Sequence, residues 1–106
     1  MRVLFDQGTP APLRALLTNH IVATVYELGW SRLTNGDLLR QAEVAGYEIF
    51  VTTDQNLRYQ QNISDRALAI AVLMATSWPR VKRHAAQVAK QIDSLAAGGF
   101  VEIEIP

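Results

Sequence analysis

The stretch Glu48-Ile-Phe-Val-Thr-Thr-Asp-Gln-Asn-Leu57 determines the predicted fold class of this chain. It contains the apolar run 49–51, whose β-branched and aromatic side chains are typical of a strand buried on both faces. The run is followed by Thr52, Thr53 and Asp54, so the stretch turns polar at once. An acidic residue at the carboxyl end of a central parallel strand lies where open α/β sheets bind their ligands. The stretch therefore predicts a buried strand with a candidate functional residue behind it.

Two other stretches repeat this arrangement. The apolar run 3–5 is strand-like and ends at Asp6, and Thr34-Asn35-Gly36-Asp37 begins a predicted helix. Because helices follow strands in an alternating chain, that helix begins at the edge of the sheet where the parallel strands end. We therefore expect Asp6, Asp37 and Asp54 to converge on one site.

Strands alternate with helices along the rest of the chain. Further strands are predicted over Ile21–Tyr26 and Ala67–Met74 and in the alternating segment Val101–Ile105. Helices are predicted from Thr9-Pro10 to about Thr18, from about Gly36 to Ala45, as a short turn over Gln55–Gln61, and as one long helix from Ser77 to the stop at Gly98-Gly99. Such alternation predicts an α/β fold with a mainly parallel central sheet covered by helices on both faces.

Length and composition limit the class of protein. A chain of 106 residues with 49% hydrophobic residues is expected to form a single domain, residues 1–106, with a proper core. Ten basic and ten acidic residues give zero formal net charge, so total charge does not indicate a strongly basic nucleic-acid binder. The absence of cysteine excludes disulfides and thiolate metal sites. Because no apolar run is long enough to span a membrane and no signal peptide is evident, we expect a cytoplasmic protein without a membrane partner.

Three converging carboxylates predict a metal site. Carboxylates held close together repel one another, and the usual compensation is a hard divalent cation such as Mg²⁺ or Mn²⁺, which takes oxygen ligands. Asp6, Asp37 and Asp54 are thus predicted as metal ligands and catalytic residues for phosphodiester cleavage. Water molecules around the ion are expected to be held by polar neighbours, namely Gln7, Thr52, Thr53 and Asn56.

Each aspartate also has a purely structural interpretation. Asp37 follows Thr34 by three residues, which is the spacing of a helix capping box. Asp54 is placed to cap the short turn after it, and Asp6 is placed to form an Asx-turn before Pro10. These roles are compatible with metal binding, although the positive end of a helix dipole opposes a cation slightly. Both interpretations stay open for all three residues.

Two residues after the second predicted strand are likewise open. Glu27 is either a fourth ligand or a solvated residue at the edge of the sheet. Trp30 either stacks on a nucleotide base or covers the core. Glu27 directly follows the predicted strand Ile21–Tyr26, whereas Trp30 lies in the connector behind it.

A basic cluster lies where the last predicted helix begins. Its members are Arg80, Lys82, Arg83 and His84. Because cations at a helix N-terminus are disfavoured by the dipole, the cluster is unusual at that position. It either contacts an RNA phosphate backbone or forms a solvated face, and Arg58, behind Asp54, has the same two interpretations.

Four motifs together resemble a known family. They are Asp6-Gln-Gly-Thr-Pro10, Glu27-Leu-Gly-Trp30, Asn35-Gly-Asp-Leu-Leu39 and Val51-Thr-Thr-Asp-Gln-Asn-Leu57. Over residues 1–75 the chain is similar to small bacterial PIN-like proteins, which are related to Mut7-C ribonuclease domains and, more distantly, to VapC-type toxins. The resemblance implies a PIN-like three-layer α/β/α sandwich and a Mg²⁺-dependent endoribonuclease with Asp6, Asp37 and Asp54 at its acidic positions. It also implies a toxin paired with a small antitoxin protein, with a homodimer as a further possible assembly.

The sequence departs from that family in two ways. Many relatives carry Asp-Glu where this chain has Asp6-Gln7, and the fourth acidic residue of fuller PIN nucleases has no clear counterpart here. These departures favour an alternative, a PIN-like module that keeps the fold but acts in binding or oligomerisation. A phospho-acceptor receiver domain with Asp54 as the acceptor is disfavoured, because receivers need an acidic pair after the first strand and a lysine after the last.

Overall fold

The computed structural model describes residues 1–60 and 66–106 of the chain. Within these residues, five strands form one sheet, and every neighbouring pair is parallel. The strands are β1 (Arg2–Phe5), β2 (Ile21–Thr24), β3 (Ile49–Thr52), β4 (Ala69–Leu73) and β5 (Phe100–Ile103). A 3-10 helix (Ala11–Leu16) follows β1, and the described α-helices are α1 (Asn35–Val44), α2 (Leu57–Gln60), α3 (Trp78–Arg83) and α4 (Ala85–Asp93). The predicted α/β class with a parallel sheet is confirmed.

The order of the strands is β2-β1-β3-β4-β5. Because β2 and β3 pair on opposite sides of β1, the chain reverses its direction across the sheet between them. Open α/β sheets bind ligands outside the carboxyl ends of the strands at such a topological switch point. Phe5 pairs with both Thr24 and Val51, so the residues after β1 lie beside the ends of β2 and β3.

Buried side chains form two clusters, one on each face of the sheet. Neighbouring strand residues such as Phe50 and Val51 belong to different clusters, because side chains alternate along a strand. Helix α1 packs on the Phe50 face with Leu38, Leu39 and Ala42. The other face is covered by the segment around the 3-10 helix and by α3 and α4, through Leu13, Leu17, Val81, Val88 and Ile92. This arrangement is compatible with a three-layer α/β/α fold.

The last connection has an unusual hand. The chain moves in the same direction across the sheet from β2 to β3 and from β4 to β5, yet α1 covers one face and the α3–α4 pair covers the other. Two such connections have opposite handedness. The β1–β2 connection moves the opposite way across the sheet but lies on the same face as the β4–β5 connection, so its hand is opposite to that of β4–β5 and matches that of β2–β3. The β4–β5 connection is therefore the exception to a rule that holds in about 98% of parallel crossovers.

The connection between β1 and β2 differs from its prediction. The sequence predicts an α-helix with Thr9 as N-cap and Pro10 as the first helical residue, and both parts are wrong. The segment is a 3-10 helix, and Pro10 is its N-cap. Thr9 is buried, and its hydroxyl donates to the carbonyl oxygen of Val51 at 2.8 Å. The Thr9 side chain therefore holds the loop against β3 instead of capping the helix.

The predicted long C-terminal helix is interrupted. Its two parts, α3 and α4, meet at His84, whose backbone leaves helical geometry (φ −116°, ψ 20°). The two parts are anchored to different elements. Arg80 donates to the carbonyl oxygen of Ile105 behind β5 at 2.7 Å, and Asp93 at the end of α4 bonds the ring of His20 before β2 at 2.5 Å. The regular apolar spacing from Val81 onward predicts the buried face correctly and gives no sign of the break.

Three strands end earlier than predicted, and the change at β2 matters for the site. The sequence extends this strand to Tyr26, whereas its last residue is Thr24. The chain turns there, and Tyr26 is 79% exposed. β4 covers residues 69–73 of the predicted 67–74, and β5 covers residues 100–103 where 101–105 was predicted.

The described helices are short. The longest is α1 with 10 residues, whereas about 20 apolar residues are needed to cross a bilayer. Among residues 1–60 and 66–106, no helix meets the length and hydropathy of a membrane span.

The packing of α4 yields a stability prediction. Ile92 is fully buried, so Ile92→Ala should lower the free energy of unfolding by about 2–5 kcal/mol through lost burial and a residual cavity. Val44 is an apolar helix residue that is 82% exposed, and Val44→Ala should change that free energy by less than about 0.5 kcal/mol. Urea denaturation of both variants measures the difference. Equal effects would mean that α4 does not pack on the sheet as described.

Candidate active site

The hydroxyl group of Thr52 links two of the predicted aspartates. Thr52 is the last residue of β3 and is completely buried. Its hydroxyl donates to Asp6 Oδ2 at 2.8 Å and accepts a hydrogen bond from the N–H of Asp54 at 3.1 Å. Asp6 and Asp54 are thus bonded to one side chain at the carboxyl edge of the sheet, at the switch point between β1 and β3.

Backbone hydrogen bonds fix Asp6 on three sides. Its N–H donates to the carbonyl oxygen of Val51 at 2.9 Å, which continues the pairing of β1 and β3 by one residue. The N–H of Gln7 donates to Asp6 Oδ1 at 2.9 Å, and the N–H of Thr9 donates to the Asp6 carbonyl at 3.0 Å. In an Asx-turn the side-chain oxygen accepts the backbone N–H of the residue two positions later. The Asp6 carboxylate instead accepts the N–H of the next residue, Gln7, so the predicted Asx-turn is not formed. An ionised carboxylate has about four acceptor sites, so Asp6 keeps acceptor capacity beyond these bonds.

Asp54 combines a local and a long-range role. Its Oδ1 accepts the N–H of Asn56 at 3.0 Å, which forms an Asx-turn ahead of α2, close to the predicted capping role. Its Oδ2 accepts the side-chain amide of Asn35 at 3.2 Å. Because Asn35 is the first residue of α1, this bond brings the start of that helix to the β3 end of the site.

Asp37 lies in the first turn of α1 but is engaged differently. Its N–H points to the hydroxyl of the N-cap residue Thr34 at 3.5 Å, a long contact, as the capping spacing predicts. Its carboxylate forms an ion pair with Arg40, one turn along the helix, and both side chains are more than half exposed. The structure thus joins Asp6 with Asp54 and connects the start of α1 to them through Asn35.

The three aspartates are not assembled as a ready metal site. Among residues 1–60 and 66–106, no group of three or more histidine, aspartate or glutamate side chains is arranged to hold a metal ion. Metal binding by Asp6, Asp37 and Asp54 therefore stays a prediction.

The residues expected to hold water molecules surround the two linked aspartates. Gln7 and Asn56 are exposed, and their backbone N–H groups bind Asp6 and Asp54 as described above. Thr53 is partly buried and faces the loop after β1 so closely that a Cβ on Gly8 would lie 2.4 Å from its hydroxyl. The loops after β1 and β3 thus touch where the site is predicted.

The basic cluster lies in a helix that is shorter than predicted. Helix α3 ends at Arg83, so Arg80, Lys82 and Arg83 lie in its last turn, where the dipole favours cations. The predicted start of this helix is confirmed, because α3 begins at Trp78 behind the N-cap Ser77, so the cluster lies near both ends of a six-residue helix. Arg80 is bonded to the Ile105 carbonyl, whereas Lys82 and Arg83 are exposed. The side chain of Arg58 lies outside the described part of the chain.

Glu27 fixes the turn that follows β2. Its Oε1 accepts the N–H of Thr24 at 2.9 Å and a guanidinium N–H of Arg14 at 2.7 Å, while its own N–H donates to the Thr24 hydroxyl at 3.1 Å. The backbone N–H of Thr24, and then the Arg14 guanidinium, lower the pKa of Glu27 below its ordinary value. Glu27 is exposed and acts here as a turn-stabilising residue at the edge of the sheet.

Tyr26 is a functional candidate that the sequence did not single out. With Asp6, Gln7, Thr9, Ala11 and Thr24 it lines a cavity of about 290 Å³ at the carboxyl edge of β1 and β2. Tyr26 was overlooked because the strand was predicted to continue through it. An aromatic residue close to the end of a strand was the feature of the sequence that could have identified it. Trp30, the aromatic residue considered instead, is partly buried, packs against the core and contacts the ring of Tyr47 edge-on at 6.1 Å between centroids.

The Thr52 bridge yields a test by substitution. Thr52→Val keeps the shape of the side chain but removes the hydroxyl, which should destabilise the fold by about 1–3 kcal/mol because partners lose their hydrogen bond. The amide of Asp54 should exchange with solvent faster in this variant. Thr52→Ser is the matched control, since it keeps the hydroxyl and should retain slow exchange of the Asp54 amide. Unchanged exchange in Thr52→Val would contradict the bridge.

The lowered pKa of Glu27 predicts how stability depends on pH. Below its ordinary pKa of 4.5 the unfolded state binds a proton that the folded state still excludes, so unfolding takes up a proton. The contribution of Glu27 is therefore present above 4.5 and is lost as the pH falls through the lowered folded-state pKa. The melting temperature of wild type should exceed that of Glu27→Gln at about pH 7, and the gap should narrow as the pH falls below 4.5 and through the lowered folded-state pKa. A gap independent of pH would contradict this role of the charge.

Comparison with known proteins does not extend this description. No model of a protein family, no curated protein and no solved structure matches the chain. The strand order, the Thr52 bridge and the residues around it are therefore the observations from which a function has to be inferred.

Proposed function

We propose that this chain is a PIN-like, divalent-metal-dependent endoribonuclease. The observation that carries the proposal is the Thr52 hydroxyl, which bonds both the Asp6 carboxylate and the Asp54 backbone at the switch point of the sheet. A ligand site is expected at that place in an open parallel sheet. Carboxylates there favour a hard cation and, through it, phosphate chemistry. The role of a toxin with a small antitoxin partner is proposed from the sequence resemblance alone.

Carboxylate oxygens are ligands that suit Mg²⁺ or Mn²⁺. One of the three carboxylates, that of Asp37, has to leave its present ion pair before it can bind the metal ion. Asp6 and Asp54 offer carboxylate oxygens at one edge of the sheet, and Asp37 starts from its ion pair with Arg40. An exposed pair at this spacing is worth only about 0.3–0.5 kcal/mol, which a divalent cation can readily exceed. The chemistry that the ion supplies is a more acidic water molecule and compensation of the charge on the phosphate.

The residues of the chain do the positioning. Thr52 holds Asp6, while the Asn56 amide and the Asn35 side chain hold the two oxygens of Asp54. These bonds limit the rotation of both carboxylates before any ligand arrives, which reduces the cost of ordering them. The exposed side chains of Gln7 and Asn56 lie where water molecules and the RNA backbone would be held.

A binding module without catalysis is the second candidate. It is favoured by two observations: Asp37 is paired with Arg40, and Gln7 stands where many members of the family that the sequence resembles carry an acidic residue.

The fold argues against a receiver domain. A sheet in this strand order with right-handed crossovers throughout would carry the β4–β5 helix on the α1 face, whereas α3 and α4 cover the other face.

The proposal predicts metal-dependent cleavage. Mg²⁺ or Mn²⁺ should raise the melting temperature. When the ion concentration is a hundred times its dissociation constant, the free energy of unfolding should increase by about 2.7 kcal/mol. Single-stranded RNA should be cut only with the ion present, and Asp6→Asn, Asp37→Asn and Asp54→Asn should each lower the rate at least about a hundredfold. Glu104→Gln is the matched control: it removes an exposed carboxylate beyond β5 and should leave the rate unchanged.

Gln7→Glu separates the two candidates. If wild type is inert with both ions while Gln7→Glu cleaves RNA, the chain is a binding module that has lost an acidic residue. If both proteins are inert on varied RNAs, the ribonuclease proposal is wrong.

A further inference from the structure

We infer that Tyr26 forms a nucleobase-stacking subsite directly beside Asp6, which binds one base of a single-stranded RNA. The inference deepens the proposed ribonuclease function and rests on it for the identity of the ligand. Three observations carry it: the exposure of the ring, the rigidity of the turn that presents it, and the polar groups that line the cavity next to it.

The turn holds Tyr26 at the edge of the site. Phe5 and Thr24 are paired in the sheet, and the N–H of Val25 donates to the Phe5 carbonyl at 2.9 Å, so the chain leaves β2 next to Asp6. The reciprocal bonds between Thr24 and Glu27, described above, then close the turn around Tyr26. Gly29 ends it with φ +74°, a conformation that favours glycine.

An exposed aromatic ring on a fixed turn suits a base. Stacking on a ring is independent of base identity because every base has a π-face, and the ring loses little freedom when it is already presented. A flexible turn would have to be ordered on binding, at a cost that stacking would need to offset. The bonds of Glu27 to Thr24 and Arg14 remove much of that cost.

The cavity offers the remaining contacts of a nucleoside. Its volume of about 290 Å³ is near the lower end of ligand pockets, which start at about 300 Å³. Gln7 contributes a side-chain amide that makes no hydrogen bond within the described residues, and an amide can both donate to and accept from a base edge. Asp6, Thr9 and Thr24 also line the cavity, so polar and apolar residues are mixed around it, unlike the apolar core of a protein interface.

Adenosine 5′-monophosphate is the probe, with ribose 5-phosphate as the probe without a base. Ring resonances of Tyr26, assigned by substitution among the three tyrosines, should move upfield with the nucleotide and stay in place with ribose 5-phosphate. Tyr26→Ala should weaken nucleotide binding about 5- to 150-fold, the range of one stacked base. Tyr26→Phe should keep binding, because either ring stacks. Tyr59→Ala, the matched control, removes a tyrosine that is 75% exposed outside this cavity and should bind as wild type.

The outcomes separate the subsite from the nuclease. Nucleotide binding that Tyr26→Ala abolishes, in a protein that cuts no RNA, supports the subsite while the ribonuclease proposal fails. RNA cleavage with an unchanged KM in Tyr26→Ala overturns the subsite alone. Equal binding of both probes, or a loss of self-association in Tyr26→Ala without any change in nucleotide binding, also overturns it and makes Tyr26 an interface residue.

Discussion

The site depends on one buried hydroxyl group. Thr52 ends a strand whose side chains are all buried, and an unsatisfied hydroxyl there would cost about 1–3 kcal/mol. Its hydrogen bonds to Asp6 and Asp54 remove that penalty, and in doing so they fix two loops that belong to different strands. The burial of β3 and the arrangement of the two aspartates are thus the same constraint, because the strand can be buried completely only if its terminal hydroxyl is bonded.

The strand order gives that constraint its location. β1 and β3 are neighbours, and the chain leaves their carboxyl ends toward opposite sides of the sheet, so the two connections that begin there diverge. Thr9 and Gly8 keep the loop after β1 low against β3, through the bond to Val51 and the close approach to Thr53. The cavity with Tyr26 lies on the other side of Asp6, at the end of β2. Asp6 therefore stands between the two strands that contribute the rest of the candidate site.

Features that follow from the spacing of apolar residues could be predicted from the sequence. Features that depend on contacts between distant or side-chain groups could not. The runs ending at Phe5 and Thr52 are continuous in apolar residues, so their burial and parallel pairing followed directly. The end of β2 was missed because Val25 continues the apolar run, while the strand is ended by Glu27, whose carboxylate binds the Thr24 N–H. The break at His84 was missed because Val81 and Val88 keep the helical spacing across it. Asp37 was correctly placed at the start of α1, but its ion pair depends on a side-chain rotation that spacing does not specify.

The ion pair of Asp37 fits a site that assembles with its ligand. Three carboxylates gathered without a cation would repel one another, and each would oppose the ionisation of the others. Pairing Asp37 with Arg40 on the helix surface avoids this repulsion and costs little to undo, because both side chains are exposed. The linked aspartates Asp6 and Asp54 differ in this respect, since hydrogen bonds to Thr52 and Asn35 fix their positions. In the proposed function, the fixed pair would set where the ion binds, and the rotation of Asp37 would decide how tightly it is held.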